Sequence, residues 1–97
     1  MKSRDDHEKT VAVVASIVYR WDPYGLLESG APRSEFDAEI GRVVAQVPEM
    51  REPKDATLAL SKVFSAAFEP HLFTPAACAS YGEMLFRQLV EAGLVQA

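Results

Sequence analysis

The chain has 97 residues, is 48% apolar and 25% charged, and carries a formal net charge of −4. That length allows one domain with a single core. The composition excludes a disordered segment, and the acidic balance with ten scattered Lys and Arg excludes a nucleic-acid surface, which needs clustered bases. The lone cysteine, Cys78, closes no disulfide within the chain and fits a reducing compartment.

Residues 1–5 read as a frayed polar tail. A first helix is predicted over 6–21, with Val11, Val14, Ala15 and Val18 on one face and Val13, Ile17 and Trp21 on a second. Two apolar stripes imply a central helix with neighbours on several sides. Val, Ile, Tyr and Trp also favour strands, but nothing else in the chain offers a strand partner. The apolar run Val11–Tyr19 has nine residues, too few to span a bilayer. The charges before it cancel and no small-x-small cleavage site follows it, so it does not read as a signal peptide. A cytoplasmic protein is expected.

Asp22-Pro23 ends the first helix, because proline disfavours the helical conformation in the residue before it. A long loop with Gly25, Gly30 and Pro32 follows. The second helix is predicted over 34–47, with Ser34 as cap and Asp37 bonding back toward it. Phe36, Ile40, Val43, Val44 and Val47 lie within an arc of about 100° on the wheel, while Glu35, Glu39, Arg42 and Gln46 lie on another side. Pro48 stops this helix. The third helix is predicted over 56–68 behind an Asp55 cap, with Ala56, Leu60, Val63, Phe64, Ala67 and Phe68 inward. Thr74-Pro75 opens a fourth helix over 75–92, and Gly93 is placed for a left-handed C-terminal cap. The sum is an all-α fold, a compact bundle of four amphipathic helices forming one domain.

The most informative segment is Trp21–Ile40. It holds the only Trp, five acids (Asp22, Glu28, Glu35, Asp37, Glu39) and one base (Arg33), so its net charge equals that of the whole chain. As a functional surface, Tyr24, Glu28, Glu35 and Glu39 form an acidic, aromatic corner suited to a basic protein partner. As local structure, Asp22 finishes a turn, Asp37 caps the second helix, Glu35 favours that helix's positive end, and Glu39 pairs with Arg42. Trp21 and Phe36 read as core, and Tyr24 as core or binding anchor equally. Oxygen ligation of a divalent metal by Asp22, Glu35, Asp37 and Glu39 is the weaker reading, because no calcium-loop spacing is present.

Cys78 near the start of the fourth helix, with His71 seven residues upstream, is a conceivable thiol nucleophile. It lies on an apolar stripe and lacks a third orienting group, so it reads as a small hydrophobe. Gly82, Phe86 and Val90 make a second stripe on that helix, so either the helix is sandwiched or this stripe is a homodimer face. There is no phosphate loop, zinc spacing, Gly-x-Ser-x-Gly or paired-His helix, so neither enzyme activity nor a cofactor is expected.

The run Trp21-Asp22-Pro23-Tyr24-Gly25-Leu26, followed by Ser34-Glu35-Phe36-Asp37-Ala38-Glu39-Ile40, resembles the signature of the YugE-like family of small bacterial proteins of unknown function. Phe36 stands where that pattern leads one to expect tyrosine. The resemblance implies a compact helical fold in the bacterial cytoplasm and supplies no activity. The expected function is therefore a non-enzymatic interaction domain docking a basic partner, of immunity type in its most specific form. The alternatives are a metal- or small-molecule-binding domain and a purely structural homodimer.

Overall fold

Each helix of this chain is bounded by a local stop that the sequence supplies. In the computed structural model, which describes residues 4–96, the helices are α1 (Arg4–Trp21), α2 (Asp37–Gln46), α3 (Pro53–Ala67) and α4 (Pro75–Glu91). Short 3₁₀ turns occupy Pro23–Gly25, Arg33–Phe36, Val47–Glu49 and Pro70–Leu72. No strand occurs among the described residues. The fold is the expected all-α bundle, with a Cα radius of gyration of 12.6 Å.

α1 starts at Arg4, two residues before the predicted boundary, so part of the expected tail is helical. Residues 1–3 of that tail lie outside the described residues. Asp5 and Asp6 stand in the first turn, where carboxylates are favoured by the helix dipole. Thr10 is fully buried, and its hydroxyl donates to the Asp6 carbonyl at 2.7 Å, which satisfies it inside the core. Val14, Ile17 and Val18 are buried beside it, and Val11, Val13 and Ala15 pack on the flanks. α1 touches both α2 and α4, as its two stripes implied.

Two predicted helix starts are corrected. The Ser34 region is a 3₁₀ turn, and the α-helix begins at Asp37 with no side-chain cap. The Asp37 N–H donates to the Ser34 carbonyl and Glu35 N–H to the Pro32 carbonyl, so Ser34 lies inside a turn headed by Pro32 rather than at its mouth. The buried Phe36 ring fixes that turn against the core. α3 begins at Pro53, ahead of the expected Asp55 cap. Asp55 is instead the third helical residue. It reaches back, its Oδ2 accepting from Arg51 N at 2.7 Å and Glu52 N at 3.1 Å. The cap position is therefore Glu52, with proline just inside the helix.

α4 follows its signals closely. Thr74 Oγ1 accepts from Ala77 N at 3.2 Å. At the far end Gly93 has φ +73°, Gly93 N donates to Val90 O and Leu94 N to Leu89 O, both at 2.9 Å. That pair of bonds is a Schellman cap.

α3 and α4 form the tightest pair in the bundle. Gly82 makes the approach possible, because a Cβ there would lie 2.5 Å from the Thr57 Cα. This overturns the motive for a homodimer face. Gly82 is covered by α3, Phe86 is only 5% exposed within the same core, and Val90 is half-buried against it. The second stripe of α4 is interior because the bundle sandwiches this helix. Before α4, the Phe73 carbonyl accepts from Ser61 Oγ at 2.6 Å and Ser65 Oγ at 3.1 Å, which fastens the α3–α4 connector to α3.

Candidate functional site

The loop after α1 is built outward from an aromatic core. Trp21 stacks on Tyr81 with ring centroids 5.2 Å apart and planes 19° from parallel. It also meets Phe64 at 5.0 Å and Phe73 edge-on at 5.6 Å. Phe64, Phe68 and Phe73 contact one another at 5.7–5.9 Å, and Phe36 lies 6.4 Å from Phe64. Trp21 therefore anchors α1 to α3 and α4. Phe36 is fully buried. A tyrosine at that position needs a buried partner for its hydroxyl.

The chain then turns sharply. Asp22 N donates to Val18 O at 2.8 Å, and Asp22 adopts φ +46°, ψ +64° ahead of the buried Pro23. Aspartate is among the few residues that tolerate this left-handed region. Its carboxylate has a second task. Oδ1 accepts from Leu27 N at 2.8 Å and Oδ2 from Glu28 N at 3.1 Å. Residues 26–29 thus form one turn headed by a carboxylate. That turn closes at Gly30 (φ +105°), where Gly30 N donates to Leu27 O and Ala31 N to Leu26 O at 3.0 and 2.9 Å. The same two-bond closure ends α4. At the far end of the loop the Arg33 guanidinium lies 5.0 Å from the Tyr19 ring centroid, a cation–π contact that ties the loop back to α1.

Tyr24 is the unusual residue here. It has φ +63°, which costs a residue with a Cβ roughly 1–2 kcal/mol, yet its neighbours hold it there. Gly25 N donates to Asp22 O at 2.8 Å, and the Tyr24 ring meets Phe68 at 5.5 Å and Phe73 at 5.8 Å edge-on. One side of the ring is therefore core, while 47% of the residue remains exposed.

The four expected partner-binding residues do not stay together. Tyr24 and Glu28 sit on the clamped loop, and Glu28 and Glu35 are exposed. Glu39 is withdrawn. It is only 8% exposed, and Arg42 Nη1 lies 3.9 Å from its Oε2. The reason is geometric. Glu39 is four residues before Val43 and three after Phe36, so its side chain leaves from the buried side of α2, with the stem over the core. Asp37, expected as a cap, is instead exposed.

Other candidates are reduced by the same geometry. Asp22 is committed to backbone amides, and no group of three or more His, Cys, Asp or Glu able to hold a metal ion is found among the described residues. Cys78 is fully buried, and desolvation raises its pKa above the ordinary thiol value, which keeps the nucleophilic thiolate scarce. His71 lies at the surface, with its Nε2 3.5 Å from Glu69 Oε2. Two adjoining clefts between α2 and α3, of about 230 and 400 Å³, share Gln46, Glu49 and Lys62. Sequence reasoning did not find them, because they arise from the angle between helices and not from any motif.

No helix among the described residues is long and apolar enough to cross a membrane. No family model matches the chain, and no curated protein or solved structure matches it significantly. The likeness of the Trp21–Ile40 motif to the YugE-like family therefore rests on those residues alone.

Proposed function

We propose that this chain is a non-enzymatic interaction domain that receives a basic protein surface on the loop carrying Tyr24, Glu28 and Glu35. The observation that carries the reading is Tyr24. A large ring is held half in water by a backbone conformation that tyrosine disfavours, over a core that does not let it swing away. Strain maintained at an exposed aromatic is common where a surface is prepared for contact. The exposed carboxylates of Glu28 and Glu35 supply attraction for Lys or Arg on the partner. In its most specific form this is an immunity-type protein that neutralises a basic toxin in the bacterial cytoplasm.

The test is a comparison of immobilised chains against lysate of the source organism. The parent is expected to retain a basic protein that elutes as salt rises. Tyr24→Ala combined with Glu28→Lys and Glu35→Lys is expected to lose it, while Lys54→Glu, also on the surface, is expected to keep it. Equal retention by the parent and the triple variant, both folded by circular dichroism, refutes the assignment of this loop.

A further inference from the structure

We draw no further inference here: the strongest candidate, the cleft between α2 and α3 lined by Arg42, Gln46, Glu49 and Lys62 with the exposed Leu58 at one end, is an open helix face of mixed charge, and nothing in the structure shows what covers it.

Discussion

Glycine-to-alanine substitution at two helical positions is expected to act with opposite signs. In an exposed helix interior the change normally stabilises, by about 0.5–1 kcal/mol, because alanine loses less backbone entropy on folding. Gly41 in α2 is such a site, with nothing within 4 Å of an added Cβ. Gly41→Ala is therefore expected to raise stability by about that amount. Gly82 in α4 has the same helical propensity to gain, but its Cβ would lie 2.5 Å from Thr57 Cα and 2.7 Å from Thr57 Cβ. Non-bonded carbons rest roughly 3.5–4.0 Å apart, so α3 and α4 must separate by about 1 Å along their closest line.

Overpacking of this kind costs about 1–3 kcal/mol. The nearest atom, Thr57 Oγ1, can rotate away, but Thr57 Cα is backbone and no rotamer change moves it, which puts the cost at the upper end of that range. Subtracting the propensity gain leaves a net loss of about 2 kcal/mol, or roughly 8–16 °C in Tm for a domain of this size. Urea and thermal unfolding followed by circular dichroism measure both variants. Thr57→Ala in the Gly82→Ala background leaves the clashing Cα and Cβ in place and is expected to restore little. A Gly82→Ala chain as stable as Gly41→Ala would refute the close approach of α3 and α4 at this point.

Further outcomes follow from the loop, the core thiol and the α3–α4 connector. Asp22→Ala removes two charge-assisted bonds and places alanine in the left-handed region, so urea unfolding should show a loss of about 2–4 kcal/mol. Asp22→Asn keeps the backbone tolerance and one acceptor oxygen and should lose about half as much; equal stability of both variants and parent counts against the clamp. Cys78 should react with a thiol reagent only at the rate of unfolding, and rapid labelling of the native chain contradicts its burial. Because the folded thiol keeps its proton to higher pH than the unfolded one, its contribution is complete below the ordinary thiol range and falls as pH rises through it. The parent should lose stability more steeply there than Cys78→Ala, and identical slopes refute the shift. Ser61→Ala and Ser65→Ala each leave the Phe73 carbonyl one donor, so each should cost about 1 kcal/mol, and the double variant should cost more than their sum. Simple additivity in that cycle denies the shared acceptor.

Periodicity and punctuation made the helices legible. Thr74-Pro75 and Gly93 bound α4 as expected because capping needs only residues within a turn of one another. The starts of α2 and α3 were misplaced for a related reason. Several polar residues lay within reach of each start, and their order alone does not say which oxygen reaches which amide. Asp55 has the right chemistry, yet it acts from inside the helix instead of at its head. Side-chain bonds across longer separations left still less trace. The two hydroxyls on Phe73 O come from 12 and 8 residues away, and nothing in Ser61 or Ser65 alone points to that carbonyl.

The second stripe of α4 shows the limit of a helical wheel. A wheel tells which residues share a face and not how many neighbours that face receives. Gly82-x-x-x-Phe86 was compatible with either a sandwiched helix or an interface between copies. A mid-helix glycine permits close approach of a backbone in either case and does not decide between them, as Gly41 with nothing near it shows; the fold decides by bringing a backbone of the same chain against Gly82. Thr57 supplies that backbone.

The acidic segment divides along the same line between what is near in sequence and what shares a surface. Trp21–Ile40 has a net charge equal to that of the whole chain, yet the fold separates its charges. Asp22 turns both carboxylate oxygens onto amides of its own loop, Glu39 goes inward beside Arg42, and Arg33 lies over Tyr19. Glu28, Glu35 and Asp37 keep their exposure to solvent. A charge bonded to neutral amides still contributes to the field at a distance, whereas one beside an opposite charge is largely cancelled, and both are screened over about 8 Å at physiological salt. Asp22 keeps its negative charge while bonded to neutral amides and Glu39 is offset in part by Arg42, so the carboxylates that a basic group can meet directly are Glu28, Glu35 and Asp37. Under the proposed reading, a partner drawn by them would meet a Tyr24 ring already held by Phe68 and Phe73, so recognition would depend on the fixed geometry of the loop as well as on the acids around it.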